Sequence, residues 1–197
     1  DMHKELIELH GDSDKLNRYL HLPVQSGSDK ILKLMNRKYS KKLYLQIIDN
    51  LRKICPDIAL SSDFIVGYPE ETKKDFQETI ELVKEVKFAQ AYSFKYSSRV
   101  GTKSSRNNLN DICDQEKNER LQELQEILNS QQKSFNNRFL SKNIKVLVKG
   151  KAKKENQYRG TTKWMQVVNF EVSREVNSFE NIRIIKSSNN SLLGEVQ

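Results

Sequence analysis

The chain has 197 residues, enough for one domain or for one domain and a small second one. Hydrophobic residues make up 36% of it, and no apolar run approaches the roughly 20 residues that a membrane-spanning helix needs. Only Cys55 and Cys113 are cysteines, which excludes a disulfide scaffold and fits a reducing cytoplasm. Because they stand far apart, we predict no metal site in this chain.

The net charge of +8 is distributed unevenly along the chain. Residues 141–197 hold 11 Lys and Arg against 5 Asp and Glu, whereas residues 1–140 hold 23 against 21. A basic C-terminal quarter favours a polyanionic partner, with nucleic acid as the first candidate. Charge alone is equally typical of a lysine-rich surface that contacts only solvent.

The first part of the chain alternates between predicted helices and strands. Helices are predicted at 1–11, where Gly11 serves as a C-cap, at 28–37, from Ser40 to Pro56, and from a Thr72–Asp75 capping box onward. Strands are predicted at 18–25, 58–66 and 89–97. This order predicts parallel strands with right-handed crossovers. Three strands cannot close a barrel, so we expect the others upstream of Asp1 or on another chain.

The second part of the chain changes its hydrophobic period. Residues 99–114 are predicted to be a polar loop and 115–139 a long helix. From Asn143 the period is two, which predicts a small all-β domain that forms a barrel. Its strands are predicted at 144–148, 164–170, 182–185 and 192–196. We therefore predict two domains, 1–140 and 141–197.

The three predicted strands of the first part each end in polar residues and glycine. Parallel α/β sheets present ligand contacts at this end of their strands. An ordinary strand-to-helix loop is the alternative for any one of the segments. The segments are HLPVQSGS from His21, DFIVGYPEET from Asp63 and YSFKYSSRVGT from Tyr92.

In this order the three segments resemble the radical S-adenosylmethionine (SAM) methylthiotransferases. The resemblance is strongest to the tRNA-modifying branch that makes 2-methylthio-isopentenyladenosine, and it covers nearly the whole chain. It implies an α/β fold in which residues 1–140 are the C-terminal part of a radical SAM βα partial barrel. Residues 141–197 then resemble a TRAM domain, a small RNA-binding β-barrel.

The resemblance also implies which residues contact SAM. They are Gln25, Ser26, Asp63, Ile65, Gly67, Phe94, Tyr96, Ser97 and Arg99. Asp63 to Glu70 resembles the pattern G-x-I-x-G-x-x-E that packs along adenine, with Asp63 in place of the first glycine. Two further departures are Glu70, where relatives usually have glycine, and Val100, where they have proline.

Basic residues surround the predicted Tyr158–Trp164 hairpin of the second domain. They are Lys149, Lys151, Lys153, Lys154, Arg159 and Lys163. Cations beside aromatic rings suit neutralisation of an RNA backbone combined with base stacking, so we predict that this set binds RNA. For Trp164 alone, burial in the core is the alternative.

The family holds a four-iron cluster on a C-x-x-x-C-x-x-C motif, and a second cluster lies in an N-terminal domain. This chain contains neither, so the resemblance assigns it no catalytic residue. It implies a cytoplasmic enzyme that needs SAM, 4Fe-4S clusters, tRNA and its own N-terminal half, and this chain alone is expected to be inactive. The alternatives are a non-catalytic RNA-binding remnant and an enzyme acting on threonylcarbamoyladenosine in tRNA or on a ribosomal protein.

Overall fold

A computed structural model describes residues 2–12, 15–98, 111–152 and 157–197. Its first part alternates helices and strands, as the sequence predicts. The elements are α1 (Lys4–Asp12), β1 (Tyr19–His21), α2 (Asp29–Leu34), α3 (Lys41–Ile54), β2 (Ala59–Val66), α4 (Lys73–Val86), β3 (Gln90–Lys95) and α5 (Asp114–Asn137). None of the helices in these ranges is long and apolar enough to cross a membrane.

The three strands β1, β2 and β3 form one parallel sheet in that order. Helices α3 and α4 cover one face of it, where Phe64 and Val66 of β2 are fully buried. The alternate side chains of β2, such as Asp63 and Ile65, point to the opposite face of the sheet, which is partly exposed to solvent. The predicted α/β fold with parallel strands is therefore confirmed for the first part.

The second part is a closed five-stranded barrel in the order β4-β5-β6-β8-β7. Its strands are β4 (Asn143–Lys151), β5 (Gln157–Thr161), β6 (Val167–Glu171), β7 (Phe179–Ser187) and β8 (Leu192–Val196). The interior is filled by alternate apolar side chains, which include Val146, Val168, Phe170, Ile182 and Ile184. The predicted all-β barrel is confirmed.

Strand β1 is shorter than the predicted range 18–25. Pro23 has no backbone N–H to pair, and the Ser62 hydroxyl takes the place of main-chain partners. This hydroxyl accepts the N–H of Val24 at 3.0 Å and donates to the carbonyl of Leu22 at 3.0 Å. Pairing resumes at a single bridge between Gln25 and Phe64.

The prediction of four barrel strands was wrong by one. β5 was missed because its residues are mainly polar and only Gly160 among them is fully buried, so the strand shows little apolar alternation. The predicted strand 164–170 instead begins at Val167, after a turn that contains Trp164 and Met165. Gly11 was predicted as a C-cap but lies within α1, where Ile54 of α3 packs closely against it.

Helix α5 contacts both parts of the molecule. Leu124 and Leu128 belong to the core under the sheet, whereas Phe135 belongs to the barrel core. Near the C-terminal end of α5, the side-chain amide of Asn136 donates to the carbonyls of Ser188 and Asn189 at 2.8 and 2.9 Å. One helix therefore fixes the barrel next to the sheet.

Candidate functional site

The loop after β1 is held tightly against α4. Gln25 adopts a left-handed conformation with φ 72°, yet its N–H and carbonyl both pair with β2. The N–H of Gly27 donates to Thr79 Oγ1 at 2.9 Å. A Cβ on Gly27 would lie within 2.4 to 2.7 Å of the backbone of Glu78 and Thr79, so only glycine allows this approach.

The loop after β2 is held in the same way, but by α5. Gly67 has φ +71° and donates its N–H to Glu71 Oε2 at 2.8 Å. The side chain of Lys117 fills the space beside Gly67, because a Cβ there would lie 2.4 Å from Lys117 Cγ. The missing side chain therefore makes room for α5. The carboxylate that contacts Gly67 belongs to Glu71. The resemblance had matched the glutamate of the pattern G-x-I-x-G-x-x-E to the preceding residue, Glu70.

Glu71 is buried with a cation from α5. Its carboxylate accepts from Arg120, which also donates to the Glu71 carbonyl at 2.9 Å and to Glu116. Burial raises the pKa of Glu71, although the Gly67 N–H and the Arg120 guanidinium oppose the rise. A buried carboxylate with these partners fixes the loop in one conformation.

Asp75 ties the two loops together at the start of α4. It accepts from Ser28 Oγ at 2.6 Å, from Thr72 N–H at 2.9 Å and from Lys30 Nζ at 3.2 Å. Burial alone would raise the pKa of Asp75, but these hydrogen bonds outweigh it and hold the pKa at about 2. The predicted Thr72–Asp75 capping box is present.

Polar groups occupy the open face of the sheet below this edge. His21 and Ser61 are register partners, and Nδ1 of His21 lies 2.8 Å from Ser61 Oγ. Its Nε2 lies 3.5 Å from a carboxylate oxygen of Asp63. On β3, Gln90 donates to the hydroxyl of Tyr92 at 2.7 Å. The open face thus holds hydrogen-bonding groups that are partly exposed.

Exposed apolar side chains lie beside these polar groups, nearer the C-terminal edge. Ile65 and Phe94 are register partners, and Phe94 is 54% exposed. Tyr96 packs edge-to-face on Tyr68 with ring centroids 4.8 Å apart, and Ser97 is exposed. An aromatic ring and a branched side chain next to a carboxylate can hold a flat, polar-edged ligand.

The predicted SAM residues therefore fall into three groups. At the open edge lie Asp63 and Ile65 on β2, Phe94 on β3, and Tyr96 and Ser97 just after β3. Gln25, Ser26 and Gly67 are buried in the loops, and the Ser26 hydroxyl accepts the Ser28 N–H at 3.2 Å. Arg99 lies outside the described residues. Ligand contact stays a prediction for all nine residues.

The predicted RNA-binding residues do not form one cluster. Lys149, Lys151 and Arg159 are exposed on β4 and β5, where Gly150 pairs with Arg159. Lys163 instead lies 4.6 Å from the centre of the Trp164 ring, in the turn after β5. Trp164 is half-buried against Phe139, with ring centroids 5.1 Å apart. Lys153 and Lys154 lie outside the described residues.

Comparison with known proteins shows what this chain is similar to. Residues 1–83 match the model of the radical SAM superfamily. Proteins named tRNA-2-methylthio-N(6)-dimethylallyladenosine synthase match nearly the whole chain. Those of Wolbachia pipientis from Culex pipiens and of Ehrlichia chaffeensis are each 48% identical, and that of Rickettsia conorii is 46% identical. Over nearly its whole length the chain is therefore similar to proteins of this name, and its first 83 residues match the radical SAM superfamily.

The three alignments cover 98 to 100% of this chain but only 44 to 45% of each relative. The chain thus spans less than half the length of the curated relatives it matches. The matched region includes both the parallel sheet and the barrel.

The family uses SAM and 4Fe-4S clusters, and the residues present fit these two groups differently. The open edge provides apolar contact at Ile65 and Phe94 and a carboxylate at Asp63, a set that suits an adenosine. Iron–sulfur clusters are held by closely spaced cysteine thiolates. Cys55 is buried at the end of α3 and Cys113 precedes α5, so they do not form such a set.

Sequence reasoning missed three basic residues of these surfaces. Lys117 and Arg120 were not singled out in the predicted helix 115–139, but both are buried beneath the Gly67 loop. Lys186 was not predicted because it follows the apolar run of β7, yet it lines the same outer cavity of the barrel as Arg159. The i, i+3 spacing of Lys117 and Arg120, which places both on one helix face, was the available signal.

Proposed function

We propose that this chain is the part of a tRNA methylthiotransferase that contacts SAM and RNA. The reaction would add a methylthio group at C2 of N6-isopentenyladenosine next to the anticodon. The supporting observation is that residues with exposed carboxylate and apolar groups meet at the C-terminal edge of a sheet in a radical SAM superfamily segment. Relatives named for this product match the chain across both of its parts.

The edge of the sheet would hold the adenosine part of SAM. Ile65 and Phe94 would contact the adenine ring, while Asp63 and Ser97 would accept or donate hydrogen bonds at its polar edge. Gln25, Ser26 and Gly67 would act by shaping the two loops that border the ligand. SAM, when bound at a reduced cluster, supplies the carbon radical with which this family activates a C–H bond.

Catalysis by this chain alone is not part of the proposal. The cluster would be held by cysteines of the remaining part of the enzyme, because Cys55 and Cys113 lie at separate helix ends. The barrel would hold tRNA in the cytoplasm. The second candidate function is a non-catalytic RNA-binding remnant. The content of only two cysteines favours it, because this chain then holds no cluster of its own.

A chimeric enzyme tests the proposal directly. This chain would replace the matched region of the Rickettsia conorii relative, and the nucleosides of the modified tRNA would be measured by mass spectrometry. We expect 2-methylthio-isopentenyladenosine from the chimera, and a large loss of product when Phe94→Ala or Asp63→Ala is added. Thermal melting of each variant would show that the fold is retained.

The outcomes separate the candidates. If the unaltered relative makes the product and a folded chimera makes none, the methylthiotransferase proposal fails and the RNA-binding remnant is the better account. If the product is the methylthio derivative of threonylcarbamoyladenosine, the enzyme class stands but the target base is wrong. Calorimetric titration of the chimera with SAM measures the binding affinity for SAM. This second readout does not depend on turnover.

A further inference from the structure

The open face of the parallel sheet changes from polar to apolar along β2. His21 and Ser61 are register partners in one cross-strand row. Asp63 follows Ser61 on the same face, and Ile65 follows Asp63. Alternate residues of a strand lie roughly 6.6 Å apart along it. His21 therefore lies below Asp63, on the side away from the apolar row to which the proposed function assigns adenine.

The imidazole of His21 bridges two side chains of β2. Its Nδ1 lies 2.8 Å from the Oγ of Ser61, and its Nε2 lies 3.5 Å from a carboxylate oxygen of Asp63. An ionised carboxylate only accepts hydrogen bonds, so the proton that faces Asp63 is carried by Nε2. In the neutral ring, Nδ1 is then the acceptor for the hydroxyl of Ser61. The two contacts together select one tautomer.

Ser61 holds the imidazole from a fully buried position. Its side chain is inaccessible to solvent, so its hydroxyl cannot exchange His21 for water. The side chain of His21 itself is 39% exposed at the end of β1. The buried hydroxyl thus fixes the orientation of a ring that is otherwise partly exposed.

The main chain of Asp63 is fixed, whereas its carboxylate is partly exposed. The Asp63 carbonyl accepts the N–H of Gln25 at 2.9 Å, and the residue pairs with Tyr92 of β3. Its side chain is 29% exposed, and among the described residues its one ion pair is with His21. A carboxylate has about four acceptor positions, so those that do not face His21 remain for a ligand.

The 3.5 Å separation between Nε2 and the carboxylate suits an orienting contact. It exceeds the roughly 2.9 Å of a strong N–H···O bond, so the interaction is mainly electrostatic. Such a contact favours one direction of the carboxylate without enclosing it. A ligand that meets an oriented carboxylate loses less conformational entropy on binding than one that must first order it.

We infer that His21 is a positioning residue for the proposed SAM site: its imidazole, fixed by Ser61, orients the Asp63 carboxylate for the ligand. This inference rests on the proposed function for the choice of SAM. His21 is not among the residues that the resemblance assigns to SAM, and it acts through Asp63 and not by contact with the ligand. The alternative is a histidine that only stabilises the sheet.

Nitrogen NMR of the imidazole in the full chain tests the contact without any ligand. We expect the neutral ring of His21 to carry its proton on Nε2, measured by two-bond proton–nitrogen correlations and assigned by the loss of signals in His21→Gln. Ser61→Ala and Asp63→Ala should each increase the share of the other tautomer, because each removes one of the two selecting partners. A neutral ring protonated mainly at Nδ1 would overturn the inference, since a lone pair would then face Asp63.

Calorimetric titration of the chimera with SAM tests the effect on binding. We expect His21→Phe and His21→Asn each to raise the dissociation constant about tenfold. His21→Gln should raise it less than about threefold, because the longer amide places a donor near the former Nε2. The asparagine variant is the matched control, since its shorter amide lies near the former Nδ1 and cannot reach Asp63.

Thermal melting of the two amide variants separates a loss of stability from a loss of SAM affinity. Rescue by His21→Gln and not by His21→Asn is the result expected of a positioning role. Equal losses of affinity for the two variants would overturn it, because a histidine that only stabilises the sheet does not require a donor at the Nε2 position.

A double variant shows whether His21 acts through Asp63. In the Asp63→Ala background, His21→Phe should change the SAM affinity by less than about twofold, because no carboxylate is left to orient. A further loss of about tenfold in that background would contradict the inference. His21 would then act on the ligand or on the fold directly.

These outcomes differ from those that test the proposed function. If the chimera makes the methylthiolated nucleoside and His21→Phe leaves its SAM affinity unchanged, the positioning role alone is refuted. If the variants bind SAM in the expected order but the chimera makes no product, the proposed reaction alone is refuted. A chimera that binds no SAM refutes both, because Asp63 then has no such ligand to meet.

Discussion

The indole Nε1 of Trp164 donates a hydrogen bond of 3.2 Å to Asp57 Oδ2, although 107 positions separate the two residues. Asp57 lies just before β2 and also pairs with Arg18, just before β1. The barrel therefore contacts the parallel sheet at the N-terminal ends of β1 and β2. The predicted SAM edge lies at the opposite, C-terminal ends of the same strands.

Replacing Trp164 by phenylalanine tests how much this bond stabilises the junction. The ring contact with Phe139 would largely remain, and only the N–H donor would be lost. We expect the free energy of unfolding to fall by about 1 kcal/mol, because the acceptor is charged but partly exposed. Urea denaturation measures the change. Trp164→Ala should cost about 3 kcal/mol, and equal stabilities for the phenylalanine variant and the wild type would contradict the proposed bond energy.

Glu70 adopts a left-handed backbone conformation with φ 69°. This conformation costs a non-glycine residue roughly 1 to 2 kcal/mol, whereas glycine adopts it freely. We expect Glu70→Gly to be more stable than Glu70→Ala by about 1 kcal/mol in chemical denaturation. The alanine variant is the matched control because both substitutions remove the same side-chain contacts. A more stable alanine variant would show that the backbone is not strained there.

Arg120 is the main cationic partner of the buried Glu71 carboxylate. Arg120→Met should lower the free energy of unfolding by about 3 to 5 kcal/mol, since it leaves an unpaired charge in the interior. Adding Glu71→Gln removes that charge and should recover part of the loss. Denaturation of the two single variants and the double variant gives the coupling energy, and simple additivity of the two losses would rule out a direct interaction.

The raised pKa of Glu71 predicts a specific dependence of stability on pH. The folded state binds this proton more tightly than the unfolded state, whose pKa is near 4.5. The contribution of Glu71 to stability therefore decreases as pH rises from about 4.5 to the raised value. The difference in unfolding free energy between the wild type and Glu71→Gln should shrink or reverse over that window. A pH-independent difference would contradict the shift.

Asp75 contributes in the opposite direction at acid pH. Its pKa is about 2 in the folded protein against an ordinary value of 3.8, so its stabilisation is complete above pH 4. As pH falls towards 2, about 2 kcal/mol should be lost. Acid titrations of the wild type and Asp75→Asn, followed by circular dichroism, measure this loss as a difference. Parallel titration curves would show that Asp75 does not carry the effect.

Local features were predictable from the sequence because their causes lie within a few residues. Ser28 and Thr72 cap helices through side-chain bonds to backbone groups three positions on, as their residue types suggest. The alternation of apolar segments likewise predicted the parallel sheet, and period two predicted the barrel. Strand β5 escaped because its polar residues carry no such pattern.

Contacts between distant segments could not be predicted in this way. Lys117 and Arg120 read as surface residues of a charged helix, and their burial depends on where the loop at Gly67 meets α5. The same holds for Trp164, whose polar partner Asp57 comes from the other part of the chain. The barrel register that pairs Arg159 with Asn169, Asn169 with Leu193 and Leu193 with Lys186 likewise depends on barrel closure, which no local pattern specifies.

Helix α5 also sets a distance. Arg120, near its start, holds the loop that borders the predicted SAM edge, and Asn136, near its end, holds the barrel turn that follows β7. These residues are 16 positions apart, which corresponds to about 24 Å of straight helix. A one-turn insertion between Arg120 and Asn136 would therefore displace the barrel by about 5 Å along the helix axis relative to the predicted SAM edge, and it would break the Trp164–Asp57 contact that joins the two parts.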